Sequence, residues 1–107
     1  MRILIADDHE LVRQGMRTIL QGEPGWTVCG EATNGRQAVT MALELNPDLV
    51  VLDIAMPELN GVEVIRQIRR SLTVPILIVT MYDADDVLRE ATDAGANGYV
   101  LKAALRT

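Results

Sequence analysis

Apolar residues along the chain fall into two alternating rhythms. Short, nearly unbroken runs of aliphatic and β-branched residues occupy positions 2–6, 26–31, 48–52, 75–79 and 98–101. Runs of this length without polar alternation predict strands of a parallel sheet covered on both faces. Between them, apolar residues recur at helical spacing. Leu11, Val12, Gly15, Met16, Ile19 and Leu20 form a first stripe, and Ala38, Val39, Ala42 and Leu43 a second. Val62, Ile65, Ile68 and Leu72 make the third, and Ala84, Val87, Leu88 and Ala91 the fourth.

Capping residues punctuate these stripes. Gly22 and Pro24 end the first helix. Asn34 is placed to cap the second, with Gln37 three residues on and Pro47 beyond its end. Asn60 and Asp83 are placed to cap the third and fourth, and Gly95 stops the fourth. Strict β-α alternation with short connections implies right-handed crossovers, hence an α/β fold with helices on both faces of the sheet.

Composition narrows the function classes. The chain has 107 residues, 49% of them hydrophobic, which suits a single globular domain. Its formal net charge of -5 makes it a poor nucleic-acid binder by itself, since phosphate contacts need clustered Lys and Arg. The single cysteine, Cys29, excludes an internal disulfide and suits a reducing cytoplasm. No apolar run approaches the roughly 20 residues needed to span a membrane.

The polar residues just after each run carry the chemistry. Ligands of open parallel sheets bind outside the carboxyl ends of the strands. Asp7 and Asp8 follow the first run, Asp53 the third, Thr80 the fourth and Lys102 the fifth, while the second offers only Glu31 and Ala32. Three carboxylates at one edge repel one another unless positive charge joins them. Lys102 supplies one charge and a divalent cation would supply more. A hard oxygen cluster of this kind suits Mg²⁺. A carboxylate beside Mg²⁺, Thr and Lys can attack phosphorus to form an aspartyl-phosphate.

With these residues in place, the stretches "ILIADDHELVRQG", "DLVVLDIAMPELNG", "ILIVT" and "AGANGYVLKA" closely resemble bacterial response-regulator receiver domains of two-component systems. Their wording is similar to the LuxR-type branch, whose members carry a helix-turn-helix DNA-binding output domain. The resemblance covers residues 1–107 as one receiver domain. It implies a flavodoxin-like (βα)5 fold of strand order 2-1-3-4-5, with the last helix missing or only begun. The first helix is then expected on one face and the second to fourth on the other.

The resemblance also implies roles. Asp53 accepts a phosphoryl group from a sensor histidine kinase. Asp8, Asp53 and the Ala55 backbone carbonyl bind Mg²⁺, with Asp7 acting mainly through water. Lys102 contacts the phosphoryl oxygens, Thr80 swings towards the phosphate, and Tyr99 is the aromatic that turns inward behind it. Tyr82 is a second, less well placed aromatic. Met81 either crowds phosphate access or packs over the end of the fourth strand. His9 is expected as a solvated first-turn residue rather than a metal ligand. The chain departs from many receivers in having Ala103, not proline, after the lysine.

The expected function is a cytoplasmic, phosphorylation-controlled switch rather than an enzyme acting on a separate substrate. Two alternatives are a small aspartyl-phosphate phosphatase and a phosphorylation-independent docking receiver. Against the first, Ala55 stands where an acid/base Asp would be needed two residues beyond the nucleophile. Expected partners are the kinase, and a second copy through the face around the fourth helix and fifth strand. DNA is reached only through a C-terminal output domain, and no membrane is involved. Residues 102–107 read as a loop and the start of a fifth helix, so the natural protein is expected to continue through that helix and a linker. One helix alone cannot cover its face of a five-stranded sheet. Apolar side chains of strands one, three and five are therefore expected to face water.

Overall fold

The computed structural model describes residues 1–54, 60–80 and 85–101. Five strands alternate with four helices: β1 Arg2–Ala6, α1 Glu10–Gln21, β2 Thr27–Ala32, α2 Gly35–Leu45, β3 Leu49–Asp53, α3 Gly61–Arg69, β4 Ile76–Thr80, α4 Asp85–Ala94 and β5 Gly98–Leu101. The strands form one parallel sheet in the order β2-β1-β3-β4-β5. The inner strands β1, β3 and β4 are largely buried between layers, which is why their runs are continuously apolar, whereas β2 and β5 at the edges are only half-buried.

Side-chain alternation sorts the core into two halves. Leu4 and Ala6 of β1, Val50 and Leu52 of β3, and Ile76 and Ile78 of β4 face α2, α3 and α4. Ile3, Ile5, Val51 and Val79 face α1, packing with Met16. Helix α3 packs against both α2 and α4. Among the described residues the first helix thus stands alone on one face, as the crossovers require.

The helix caps form as their sequences predict. Asn34 Oδ1 accepts the Gln37 backbone N–H at 2.9 Å, and Asn60 Oδ1 accepts that of Glu63 at 3.0 Å. Gly95 adopts φ +124 after α4, a conformation that side-chain-bearing residues rarely take. Asp83 and Ala84 lie outside the described residues. The predicted stripes prove too wide. On α1 the buried line is Val12, Met16 and Leu20, whereas Leu11 is 81% exposed and Gly15 and Ile19 also face out. Leu43 and Val87 are likewise exposed. Leu72 packs on the core from just beyond α3, not from within it.

The exposure expected on strands one and three is also corrected. Ile3, Ile5 and Val51 are buried because α1 lays Val12, Met16 and Leu20 over them. On the same face, towards β4 and β5, the cover thins. Leu77 and Val100 are only half-buried, and with Met16, Ile19, Leu20, Val51 and Val79 they line an apolar depression of about 60 Å³. Among the described residues, no helix is long and apolar enough to cross a membrane.

Candidate functional site

Strand register brings the candidate residues to one place. Ala6 pairs with Leu52 and Asp53 pairs with Val79, so Asp7 emerges beside Asp53, and Thr80 lies one residue beyond. The backbone N–H of Asp7 donates to Ala32 at 3.0 Å, extending the contact between β1 and β2 by one step. Asp53 and Thr80 are the last residues of their strands, which run one position past the ends that the apolar runs predict. Each is therefore held by a rigid strand rather than a loop.

All three are buried: Asp7 is 0%, Asp53 4% and Thr80 2% exposed. Asp8 is partly exposed and His9 largely so. Carboxylates are seldom buried unless something compensates their charge. Asp7, Asp8, His9 and Asp53 offer ligand atoms that all lie within 4.8 Å of one another. That donor set is dominated by hard carboxylate oxygens whose mutual repulsion a cation relieves. It fits a hard divalent metal better than zinc, which prefers sulfur and nitrogen.

His9 occupies the N-cap position of α1, yet its ring does not cap the helix. Its backbone N–H donates to Asp7 Oδ1 at 2.8 Å, a local turn that aspartate favours. The ring Nδ1 lies 3.1 Å from Asp7 Oδ1 and 3.2 Å from Asp8 Oδ1. The ring is solvated, as expected for a first-turn residue, but it also touches both acids. Asp8 therefore heads outward into the cluster rather than capping the helix.

The start of α3 lies tightly against the end of β3. Gly61 N–H donates to the Ile54 carbonyl at 3.0 Å, and a Cβ at Gly61 would stand 2.6 Å from Ile54 Cα. Only glycine lets the start of α3 return this close to the end of β3. Ala55, Met81, Tyr82, Lys102 and Ala103 lie outside the described residues. Tyr99 pairs with Ile78 across the sheet and is 51% exposed, so its ring faces outward in this structure.

An arginine that the strand-end reasoning passed over borders the cluster, with an acid and a second arginine behind it. Arg13 of α1 donates through Nη1 to the Asp7 carbonyl at 2.7 Å, and its Nε lies 3.3 Å from Glu31 Oε1. Arg17 pairs with the other oxygen of Glu31. The signal was present in the sequence: two arginines four apart on one helix, and one acid at the end of the strand that seemed to contribute nothing.

Comparison with known proteins agrees with this fold. Residues 3–106 match the response regulator receiver domain. The chain is 43% identical over 101 residues to the transcriptional regulatory protein YdfI of Bacillus subtilis, covering 94% of this chain and 47% of that protein. It is 39% identical over 104 residues to a protein-glutamate methylesterase/protein-glutamine glutaminase of Alkalilimnicola ehrlichii, covering 95% of this chain and 27% of that protein. Among solved structures, a two-component response regulator of the LuxR family from Aurantimonas superposes with a TM-score of 0.90 at 39% identity, covering 94% of this chain and 73% of that one. The chain thus spans less than half the length of these two curated relatives.

Proposed function

The chain belongs to the response regulator receiver domain family, and from that premise we propose that it is a phosphorylation-controlled switch with Asp53 as phosphoacceptor. The observation that carries this reading is the placement of Asp53. It is a buried carboxylate, fixed at a strand end, with two further acids within 4.8 Å and Thr80 at the end of the neighbouring strand. In the proposed step, an Asp53 oxygen attacks the phosphorus of a phosphohistidine or small acyl phosphate. The new O–P bond forms as the bond to the donor breaks, and the donor's nitrogen or oxygen leaves with the electron pair.

Asp8, Asp53 and the Ala55 carbonyl would hold Mg²⁺, with Asp7 acting through water. When bound, the metal offsets the charge that accumulates on the phosphoryl oxygens. Lys102 supplies a second positive charge there. Burial of Asp53 keeps bulk water from competing for the donor. Thr80 donates its hydroxyl to the new phosphoryl group, and the space it vacates admits the Tyr99 ring. Covering that half-exposed aromatic changes the face around α4 and β5, the surface offered to a second copy or an output domain. Given relatives such as YdfI, that output is DNA binding by a segment C-terminal to this domain; the domain itself stays off DNA. The phosphatase alternative lacks support, since Ala55 cannot transfer a proton.

Intact-mass spectrometry with acetyl phosphate tests the proposal. The expected result is gain of a single phosphoryl group in the presence of Mg²⁺, and none after chelation. Failure of the parent protein to gain mass, or uptake indifferent to Mg²⁺, would overturn it.

A further inference from the structure

The strand that sends no side chain into the cluster still touches it, through an arginine. We propose that Arg13 is a positioning residue for the acidic cluster, itself held by Glu31; this rests on the reading of that cluster given above. Arg13 lies in the first half of α1 with its side chain only 13% exposed. Arginine is seldom buried to that degree without partners. Here the guanidinium spans the ends of two strands. Nη1 donates to the Asp7 carbonyl just past β1, and Nε faces Glu31 near the end of β2 at ion-pair distance without hydrogen-bond alignment.

The consequence follows from peptide geometry. The Asp7 carbonyl shares one rigid plane with the Asp8 N–H. Clamping that carbonyl fixes the direction in which the chain, and with it the Asp8 carboxylate, leaves β1. Among its described contacts, the Asp7 N–H donates to Ala32, its carboxylate accepts the His9 N–H and its carbonyl accepts from Arg13. The last of these acts directly on the peptide plane leading into Asp8, and the turn made by the carboxylate supports it from the other side.

Glu31 has its own part. A guanidinium beside three carboxylates has an obvious alternative, which is to swing among them and displace a divalent cation. Glu31 engages Arg13 on one oxygen and Arg17 on the other. The competing cation is thereby kept behind the cluster, on the main chain, rather than inside it. Lysine cannot reproduce this, because a single ammonium lacks the fork that reaches a carbonyl and a carboxylate together.

Calorimetric Mg²⁺ titration without any phosphodonor tests the proposal on the parent, Arg13→Gln, Arg13→Lys, Glu31→Gln and the double variant. Partners that orient metal-binding carboxylates typically change metal affinity by 10–100-fold, so Arg13→Gln is expected to weaken Mg²⁺ binding about 10-fold. Arg13→Lys should fall between it and the parent. The double variant should be no weaker than Arg13→Gln alone, because the Arg13 guanidinium is the link by which Glu31 reaches the cluster. At saturating Mg²⁺, the phosphorylation rate of Arg13→Gln should return to within about two-fold of the parent, as a residue that positions a binding group requires. Unchanged Mg²⁺ affinity in a folded Arg13→Gln overturns the proposal. So does a rate that excess Mg²⁺ fails to restore, which marks a general structural defect. A parent that binds Mg²⁺ but takes no phosphoryl group refutes the phosphoacceptor reading, while the role of Arg13 is still decided by the affinities. A parent that binds no Mg²⁺ refutes both.

Discussion

The two edges of the sheet handle charge in opposite ways. At the carboxyl edge, the chain gathers like charges: Asp7, Asp8 and Asp53 meet with no more than 4.8 Å between their ligand atoms. At the amino edge, cations meet neutral oxygens. Arg69, half-buried at the end of α3, donates to the carbonyls of Gly95, Leu72 and Val74 and to Asn97 Oδ1, at 2.6–3.3 Å. Asn97 Oδ1 also accepts the Ile76 N–H, so one guanidinium ties together the loops entering β4 and β5. Arg2 does the same on a smaller scale, donating to the carbonyls of Leu45 and Asn46. Burial lowers the Arg69 pKa from its ordinary value, the expected sign for a cation losing water.

The difference teaches where folding free energy goes. The amino edge satisfies acceptors that would otherwise be stranded, so it stabilises. The carboxyl edge gathers carboxylates that repel one another, so on the reading proposed above it costs stability until positive charge such as a divalent cation joins them.

Mutations at the two edges should therefore move stability in opposite directions. The largest expected effect is at the amino edge. Arg69→Ala strands several carbonyls together and should lower unfolding free energy by about 2–3 kcal/mol. Denaturant titration reads this, and phosphoryl uptake by the folded fraction should stay at the parent level. A loss of uptake at full folding would break the division between the edges. The smaller effect has the opposite sign. Asp53→Asn removes one of three clustered charges and should raise stability by about 1 kcal/mol when measured without Mg²⁺. Adding Mg²⁺ should shrink that gain, because the cation relieves the same repulsion in the parent. A clear loss of stability on Asp53→Asn in metal-free buffer would mean that the cluster is already neutralised within the protein.

Much of this plan was legible in the sequence, for reasons that differ by element. The strands show because a sheet covered on both faces leaves no polar positions to obscure the run. Asn34, Asn60 and Gly95 show because caps are local, decided by atoms within a few residues. Asp7, Asp53 and Thr80 show because a polar residue at the end of an apolar run has few structural reasons to be there. What did not show is long-range or depends on helix phase. The Arg69 clamp joins residues 26 and 28 positions apart along the chain. Arg13 and Glu31 lie on different elements and meet only once α1 has packed on the sheet. Leu11 reads as core by spacing, yet the phase of α1 is set by Met16 seating over Ile3, Ile5 and Val51, which turns Leu11 outward. The left-handed C-cap at Asn46, φ 46, was likewise not marked by the glycine that usually signals it.

The central claim is that the repulsive edge exists to make Asp53 a phosphoacceptor. The most direct test is to locate the phosphoryl group itself. The protein is phosphorylated with acetyl phosphate and Mg²⁺, the acyl phosphate is reduced with borohydride to mark the modified carboxylate, and the peptides are mapped by mass spectrometry. The account predicts a single mark, at Asp53. A mark at Asp7, Asp8 or His9, with Asp53 unmodified, would contradict it.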